Sequence, residues 1–211
     1  MTVKTFTFNP IQENTFLVYD ETNEAVVIDA GCLSDTEKLI LKGYIEDHNL
    51  TLKRVLNTHL HFDHQFGNKF LYNTYGIKPE ACKEDEFLLE NVIAKTLSFG
   101  VKTAEEAQSI GENIIDNQEL KFGNTTLLAL HVPGHSPGSM AFYSAKDGVL
   151  FAGDVLFRGS IGRTDLQGGD YATLISSITK KLLPLPDSTV VYSGHGPNTT
   201  IGFERKNNPF L

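Results

Sequence analysis

Six consecutive residues, His59-Leu60-His61-Phe62-Asp63-His64, place three imidazoles and a carboxylate directly after the apolar, β-branched stretch Leu52–Thr58. Imidazoles crowded within a few ångströms of one another resist protonation and lack partners for their lone pairs. A bound cation removes both difficulties. The stretch therefore calls for a fold in which a rigid strand ends at a metal site. In extended chain His59 and His61 point to one side, so both reach one ion while Asp63 and His64 turn toward a neighbouring position.

Three more strand patterns release metal-capable residues in the same way. His135 follows Thr126–Val132, Asp154 follows Val149–Ala152 and Gly153, and His195 follows Thr189–Ser193 and Gly194. Five histidines and two carboxylates exceed one tetrahedral shell but suit two ions about 3.5–4 Å apart that share a carboxylate and a hydroxide. Asp154, alone on its loop, reads as the shared carboxylate. Gly134, Gly138, Gly153, Gly194 and Gly196 flank these positions, where the backbone must turn sharply beside the ions. Asp29, ending another strand, is placed to accept a hydrogen bond from the outer nitrogen of a ligand histidine. His48 and His131 stand apart and read as ordinary polar residues, since neutral imidazole packs and hydrogen-bonds readily.

The remaining pattern supplies the scaffold. Val3–Phe8, Asn14–Tyr19 and Ala25–Asp29 predict an antiparallel meander. Ser34 or Asp35 caps a helix over Glu37–His48, and further helices are expected over Gln65–Tyr75, Lys83–Leu97 and Tyr171–Leu183. Glu119–Phe122, Thr126–Val132, Ser139–Tyr143 and Val149–Ala152 return to strand, with Gly123-Asn124 and Asp147-Gly148 as hairpin turns. Strands with helices on one side occur twice, and both sheets are buried most simply face to face. The expectation is an α/β chain of the α+β kind, an αββα sandwich of two mixed β-sheets with helices outside.

At 211 residues the chain suits a single domain over 1–211. Its N-terminus alternates like a strand rather than a secretion signal, and no run is long enough to cross a bilayer, so cytoplasmic residence is expected. Cys32 and Cys82 belong to no CxxC motif and read as small buried hydrophobes. A net charge of -8 disfavours a polynucleotide substrate.

The motifs Thr58-His59-Leu60-His61-Phe62-Asp63-His64, Pro133-Gly134-His135-Ser136-Pro137-Gly138-Ser139, Gly153-Asp154 and Gly194-His195 resemble those of the metallo-β-lactamase superfamily. That resemblance implies His59, His61 and His135 on one ion, Asp63, His64 and His195 on a second, and Asp154 bridging. It also implies the αββα sandwich. Gly153 to Asp170 and the ending from Gly194 to Leu211 resemble the short glyoxalase II-like hydrolases, without the C-terminal helical domain that holds glutathione in the full-length enzymes. The implied activity is hydrolysis of a small acyl thioester or ester by a hydroxide shared between two divalent ions, with Asp63 near the transferred proton. Zinc leads among the candidate metals, and imidazole and carboxylate ligands also suit iron or manganese.

Arg158 and Arg163 are candidates for holding a substrate carboxylate, and an Arg163–Asp165 or Arg163–Asp170 ion pair bracing the loop is the plainer alternative. Gly162-Arg163-Thr164-Asp165 also resembles a segment of the single-iron persulfide dioxygenases, the leading rival activity. A nuclease and a silent metal-stabilised binding module rank below it.

Overall fold

The computed structural model describes residues 1–103 and 105–211. Strands β1 (Thr2–Phe8), β2 (Glu13–Tyr19) and β3 (Glu24–Ile28) form the expected antiparallel meander. Helix α1 (Asp35–Asp47) then crosses to β4 (Thr51–Leu56), which lies parallel to β3. Ser34 caps α1 through a capping box: its hydroxyl accepts from the Glu37 amide, and the Glu37 carboxylate accepts from the Ser34 amide at 2.9 Å. After α2 (Asn68–Tyr75), two short parallel strands, β5 (Pro79–Ala81) and β6 (Glu112–Asn113), complete a six-stranded sheet.

The second sheet is built from β7 (Glu119–Phe122), β8 (Thr125–His131), β9 (Met140–Ser144) and β10 (Val149–Gly153), paired antiparallel in succession. β13 (Val190–Ser193) adds parallel to β10, and β14 (Thr199–Thr200) closes the edge. Between them lie a two-stranded hairpin, β11 (Leu156–Phe157) with β12 (Ser160–Ile161), and helix α4 (Tyr171–Ser177). Helix α5 (Ile201–Asn207) follows β14. None of the described helices is long and apolar enough to cross a membrane.

The period of two along each strand sends alternate side chains to opposite sides, and in β2 both sides are buried. Phe16 and Val18 face the inter-sheet core, where they join Ile28 and Leu56 against Leu127, Phe142 and Phe151 of the other sheet. Leu17 faces outward and packs with Val27 and Val55 under Leu41 and Ile45 of α1. On the far side, Leu150 and Val191 are covered by Leu174 of α4 and by Ile178 and Leu182 beyond it. The layer order is αββα, as expected.

The differences have local causes. The expected helix over Lys83–Leu97 is a 3₁₀ turn at Lys83–Leu89 followed by α3 (Val92–Ser98), broken where Asn91 adopts a left-handed φ of 54°. The helix expected to Leu183 loosens after Ser177 into a π turn at Ile178–Leu182. β5, β6, β11, β12 and β14 run only two or three residues, too short for an alternating signature.

The two sheets are tied at one end by Asp20. Its carboxylate accepts from the Thr22 amide (3.0 Å) and hydroxyl (2.5 Å) in its own turn, and from the Asn124 amide (2.7 Å) and Thr125 hydroxyl (2.9 Å) in the β7–β8 turn. Gly123 has a φ of 49°, and a Cβ there would strike this carboxylate. Burial opposes ionisation of Asp20, but the four donors outweigh it and hold the carboxyl below its ordinary range. A depressed folded pKa contributes stability that is present above the unfolded value near 3.9 and is lost as pH falls through the folded value. Asp20→Ala is expected to lower unfolding free energy by about 2–3 kcal/mol at pH 7. Denaturant melts of the two proteins should converge as pH falls below about 3.9.

Candidate metal centre

β4, β8, β10 and β13 end on the same side of the sandwich, and each hands over to a segment that carries candidate ligands. Beyond β4 the chain passes His59 and His61 and tightens into a 3₁₀ turn at Phe62–His64. His135 lies in the loop after β8, Asp154 follows Gly153 of β10, and His195 follows β13 by one residue. These loops bring all seven candidates together. Donor atoms of His59, His61 and His135 all lie within 4.8 Å of one another, as do those of Asp63, His64 and His195.

The outer nitrogens fix the tautomers. His135 Nδ1 donates to the Arg163 carbonyl at 2.8 Å and His195 Nδ1 to the Gln12 carbonyl at 3.3 Å, because a carbonyl only accepts. His64 Nδ1 donates to Asp29 Oδ2 at 3.1 Å. The Thr58 hydroxyl gives its proton to the same Asp29 oxygen at 2.6 Å, so it accepts from His59 Nδ1 at 3.1 Å. Four Nε2 lone pairs are thereby aimed inward. Asp29 itself sits at a φ of 53° and also accepts the Thr58 amide at 2.7 Å, the supporting place expected for it.

The inward space is ringed by acceptors. His61 Nδ1 and His135 Nε2 are 2.8 Å apart, and His135 Nε2 is 3.3 Å from His59 Nε2. His195 Nε2 lies 3.2 Å from Asp63 Oδ2. Asp154 reaches both trios, with Oδ1 3.4 Å from His64 Nε2 and Oδ2 3.7 Å from His135 Nε2 and 3.6 Å from His195 Nε2. His64 Nε2 and Asp154 Oδ1 are nevertheless buried without a hydrogen-bond partner. Orphaned polar atoms of this kind need a ligand to satisfy them, and a divalent cation fits the donor set. A Cβ at Gly194 would come within 2.6 Å of His64 Cε1 and strike Asp154, which is why the chain passes the centre there as glycine.

Charge is distributed unevenly across the centre. Burial, reinforced by His64 and His135, holds His59 well below its ordinary pKa, and burial with His135 beside it lowers His61 to about 3. Burial also works against charge on His64 and His195, but Asp154 and Asp63 outweigh it and raise both. The same contacts overcome burial at Asp154 and Asp63 and keep both carboxyls below their ordinary range.

The sequence profile of the Metallo-beta-lactamase superfamily matches residues 8–195, a span that contains every one of these side chains. The chain belongs to the metallo-beta-lactamase superfamily. It is 39% identical, over all of its length and 98% of the relative's, to the hydroxyacylglutathione hydrolase GloC of Haemophilus influenzae. Among solved structures, that of the B3 metallo-beta-lactamase BLEG-1 superposes with a TM-score of 0.87 at 40% identity, covering 100% of this chain and 99% of that one. TTHA1623 in a di-iron-bound form gives a TM-score of 0.87 at 37% identity, covering 99% of this chain and all of that one. The protein is therefore a superfamily metallo-hydrolase with a metal-binding fold.

The candidate arginines separate. Arg163 lines the cavity above the centre, but its guanidinium is held in a two-pronged pair with Asp165 at 2.7 Å on each arm. Arg158 lies over the Phe203 ring, 5.3 Å from its centroid, and does not line that cavity. His48 stacks on Tyr44 and bonds its carbonyl at 2.9 Å. His131 has Cys82 and Glu84 nearby, yet its Nε2 bonds the Pro137 carbonyl at 2.8 Å and burial pushes the Cys82 thiol up, away from the thiolate a metal needs. Both cysteines are free and buried.

Two supports of the centre carry no sequence signal. Asn14 at the start of β2 bonds the Ser193 and Gly196 carbonyls at 3.0 and 2.9 Å, and its amide bonds the Gly194 carbonyl at 2.7 Å, pinning the His195 loop. Asp85, inside the acidic run Glu84-Asp85-Glu86, is fully buried. One of its oxygens accepts from the Leu60 amide (3.2 Å) and Ser136 hydroxyl (2.7 Å), the other from the Gly138 amide (2.6 Å). It thus fastens the His59–His61 segment to the His135 loop. Asp85→Asn turns one acceptor into a donor facing a donor. Metal affinity, measured by competition with a chelating dye, is expected to fall about 10–100-fold. Unchanged affinity would remove this role from Asp85.

Proposed function

We propose that the protein hydrolyses a small acyl thioester or related ester, in the manner of glyoxalase II, at a centre of two divalent ions. His59, His61 and His135 would hold one ion, Asp63, His64 and His195 the other, and Asp154 both. The observation that carries this reading is the position of Asp154, whose two oxygens face a histidine of each trio. When bound, two such ions supply a Lewis acid and a water whose pKa falls from 15.7 toward about 7.

The chain's own residues do the rest. Asp63, which lines the cavity, would accept the proton released at the attacking water and pass it on to the leaving thiolate or to solvent. Asp29, Thr58 and the Arg163 carbonyl keep the rings of His64, His59 and His135 turned so that these donate their protons outward. A thiolate leaves without a strong general acid, so no further proton donor is required. The GloC likeness supports the acyl thioester class, and a second trio of donors favours hydrolysis over the single-iron dioxygenase reading. Zinc is the first candidate, with iron supported by the di-iron relative. The net charge of -8 and the cavity of about 610 Å³ favour a small-molecule substrate over nucleic acid or a membrane surface.

Elemental analysis of protein purified without added metal is expected to find two equivalents of transition metal per chain, and the loaded protein to cleave lactoylglutathione. Asp154→Ala should abolish turnover and reduce bound metal, while His48→Ala should leave both unchanged. Equal effects of the two substitutions, or a single bound equivalent at full activity, would overturn the two-ion assignment.

A further inference from the structure

The cavity above the centre has a volume of about 610 Å³, within the range of small-ligand sites. The candidate ligands His61, Asp63, Asp154 and His195 form one polar part of its lining, and Ser160 and Gln167 add two more polar side chains. The rest is mainly apolar, supplied by Phe62, Leu88, Phe99, Phe157, Ile161 and Leu166. The Phe62 and Phe99 rings meet at 5.2 Å between centroids, and Phe157 approaches His195 at 6.4 Å. Phe99 is 52% exposed, an aromatic left in water at the mouth of the cavity.

The two cations on the lining are already engaged. Arg163 is neutralised by Asp165. Lys95 donates its ammonium protons to the Phe87 and Leu88 carbonyls at 3.1 and 3.3 Å, which leaves its methylene stem along the wall. Both head groups are thus partly committed to protein acceptors. What the lining mainly offers is apolar area adjoining the candidate ligands.

We propose that this cavity selects thioesters by the apolar bulk of the acyl group, taking unsubstituted aliphatic or aryl acyl chains in preference to 2-hydroxyacyl groups, with Phe99 and Phe157 setting the preference. The proposal rests on the hydrolase reading above. A pocket of this kind distinguishes chain length through burial of each methylene, worth about a fourfold change in affinity. It has little leverage on a hydroxyl beyond the loss of that burial.

The test separates binding from turnover. Zinc-loaded protein is titrated calorimetrically with S-ethyl, S-butyl and S-hexyl thioethers of N-acetylcysteamine, which contain no scissile carbonyl. The same protein is assayed on the S-acetyl, S-butyryl, S-hexanoyl and S-lactoyl thioesters of that thiol. The expected result is a Kd that falls about fourfold per methylene, a parallel rise in kcat/KM, and a lactoyl ester no better than the butyryl. Phe99→Ala and Phe157→Ala should flatten the chain-length dependence with little change for the shortest probe. Thioether affinity independent of length, or a lactoyl ester preferred over every unsubstituted chain, would overturn the proposal and leave the hydrolase reading standing. Length-dependent thioether binding with no thioester cleaved would instead overturn the hydrolase reading and keep the apolar-selective cavity.

Discussion

Imidazole nitrogens of His59, His64, His135 and His195 and the carboxylates of Asp63 and Asp154 face one another across a small space. That crowding is the constraint to which the rest of the structure answers. It persists because each outer nitrogen is tied to a fixed acceptor: Asp29 for His64, Thr58 for His59, and two main-chain carbonyls for His135 and His195. Turning the His59 or His64 ring over would leave a buried acceptor, Thr58 or Asp29, without its donor. The framework therefore stores an arrangement that is costly alone and favourable once a cation is present.

The same arrangement couples the two sheets. β4 in one sheet supplies His59, His61, Asp63 and His64, whereas β8, β10 and β13 in the other lead to His135, Asp154 and His195. Contacts across the divide hold the register: the Met140 amide bonds the Thr58 carbonyl at 2.7 Å, and Asn14 clamps the His195 loop. Asp85 adds a third tie from below. A cation held by donors of both sheets would act as one more inter-sheet contact, so that occupancy and sandwich packing would reinforce each other.

Much of this was legible in the sequence because the information is local. An HxHxDH run after a β-branched strand states both where the chain stops and which way its side chains turn, and glycines beside His135, Asp154 and His195 mark the close approaches. Asp29 was legible for the same reason, as a carboxylate at a strand end. Asp85 and Asn14 were not, since the partners of each are 25 to 182 residues away in sequence and their neighbours look like a solvated helix start and an ordinary strand edge. The break in Lys83–Leu97 escaped because a left-handed Asn91 leaves the apolar spacing of the flanking turns intact. Arg163 was legible as a loop brace paired with Asp165 or Asp170, and side-chain geometry selects Asp165.

Glu13 completes the charge pattern. It is fully buried behind His64, with one oxygen 4.0 Å from His64 Nδ1 and lacking a hydrogen-bond partner, while the other accepts from Thr15 at 2.9 Å. Burial, with Asp29 and Asp63 close by, pushes this carboxyl well above the ordinary range despite the pull of His64. Burial thus works against negative charge on Glu13, behind the carboxylates that face the centre or brace its histidines. Its backbone meanwhile bridges to His195. A smaller residue would open a void behind the ligand histidine, and an ionised one would draw His64 away from Asp154. A carboxyl whose burial disfavours its charge fills the volume and leaves the inward field mainly to Asp63 and Asp154, which is the field a cation requires.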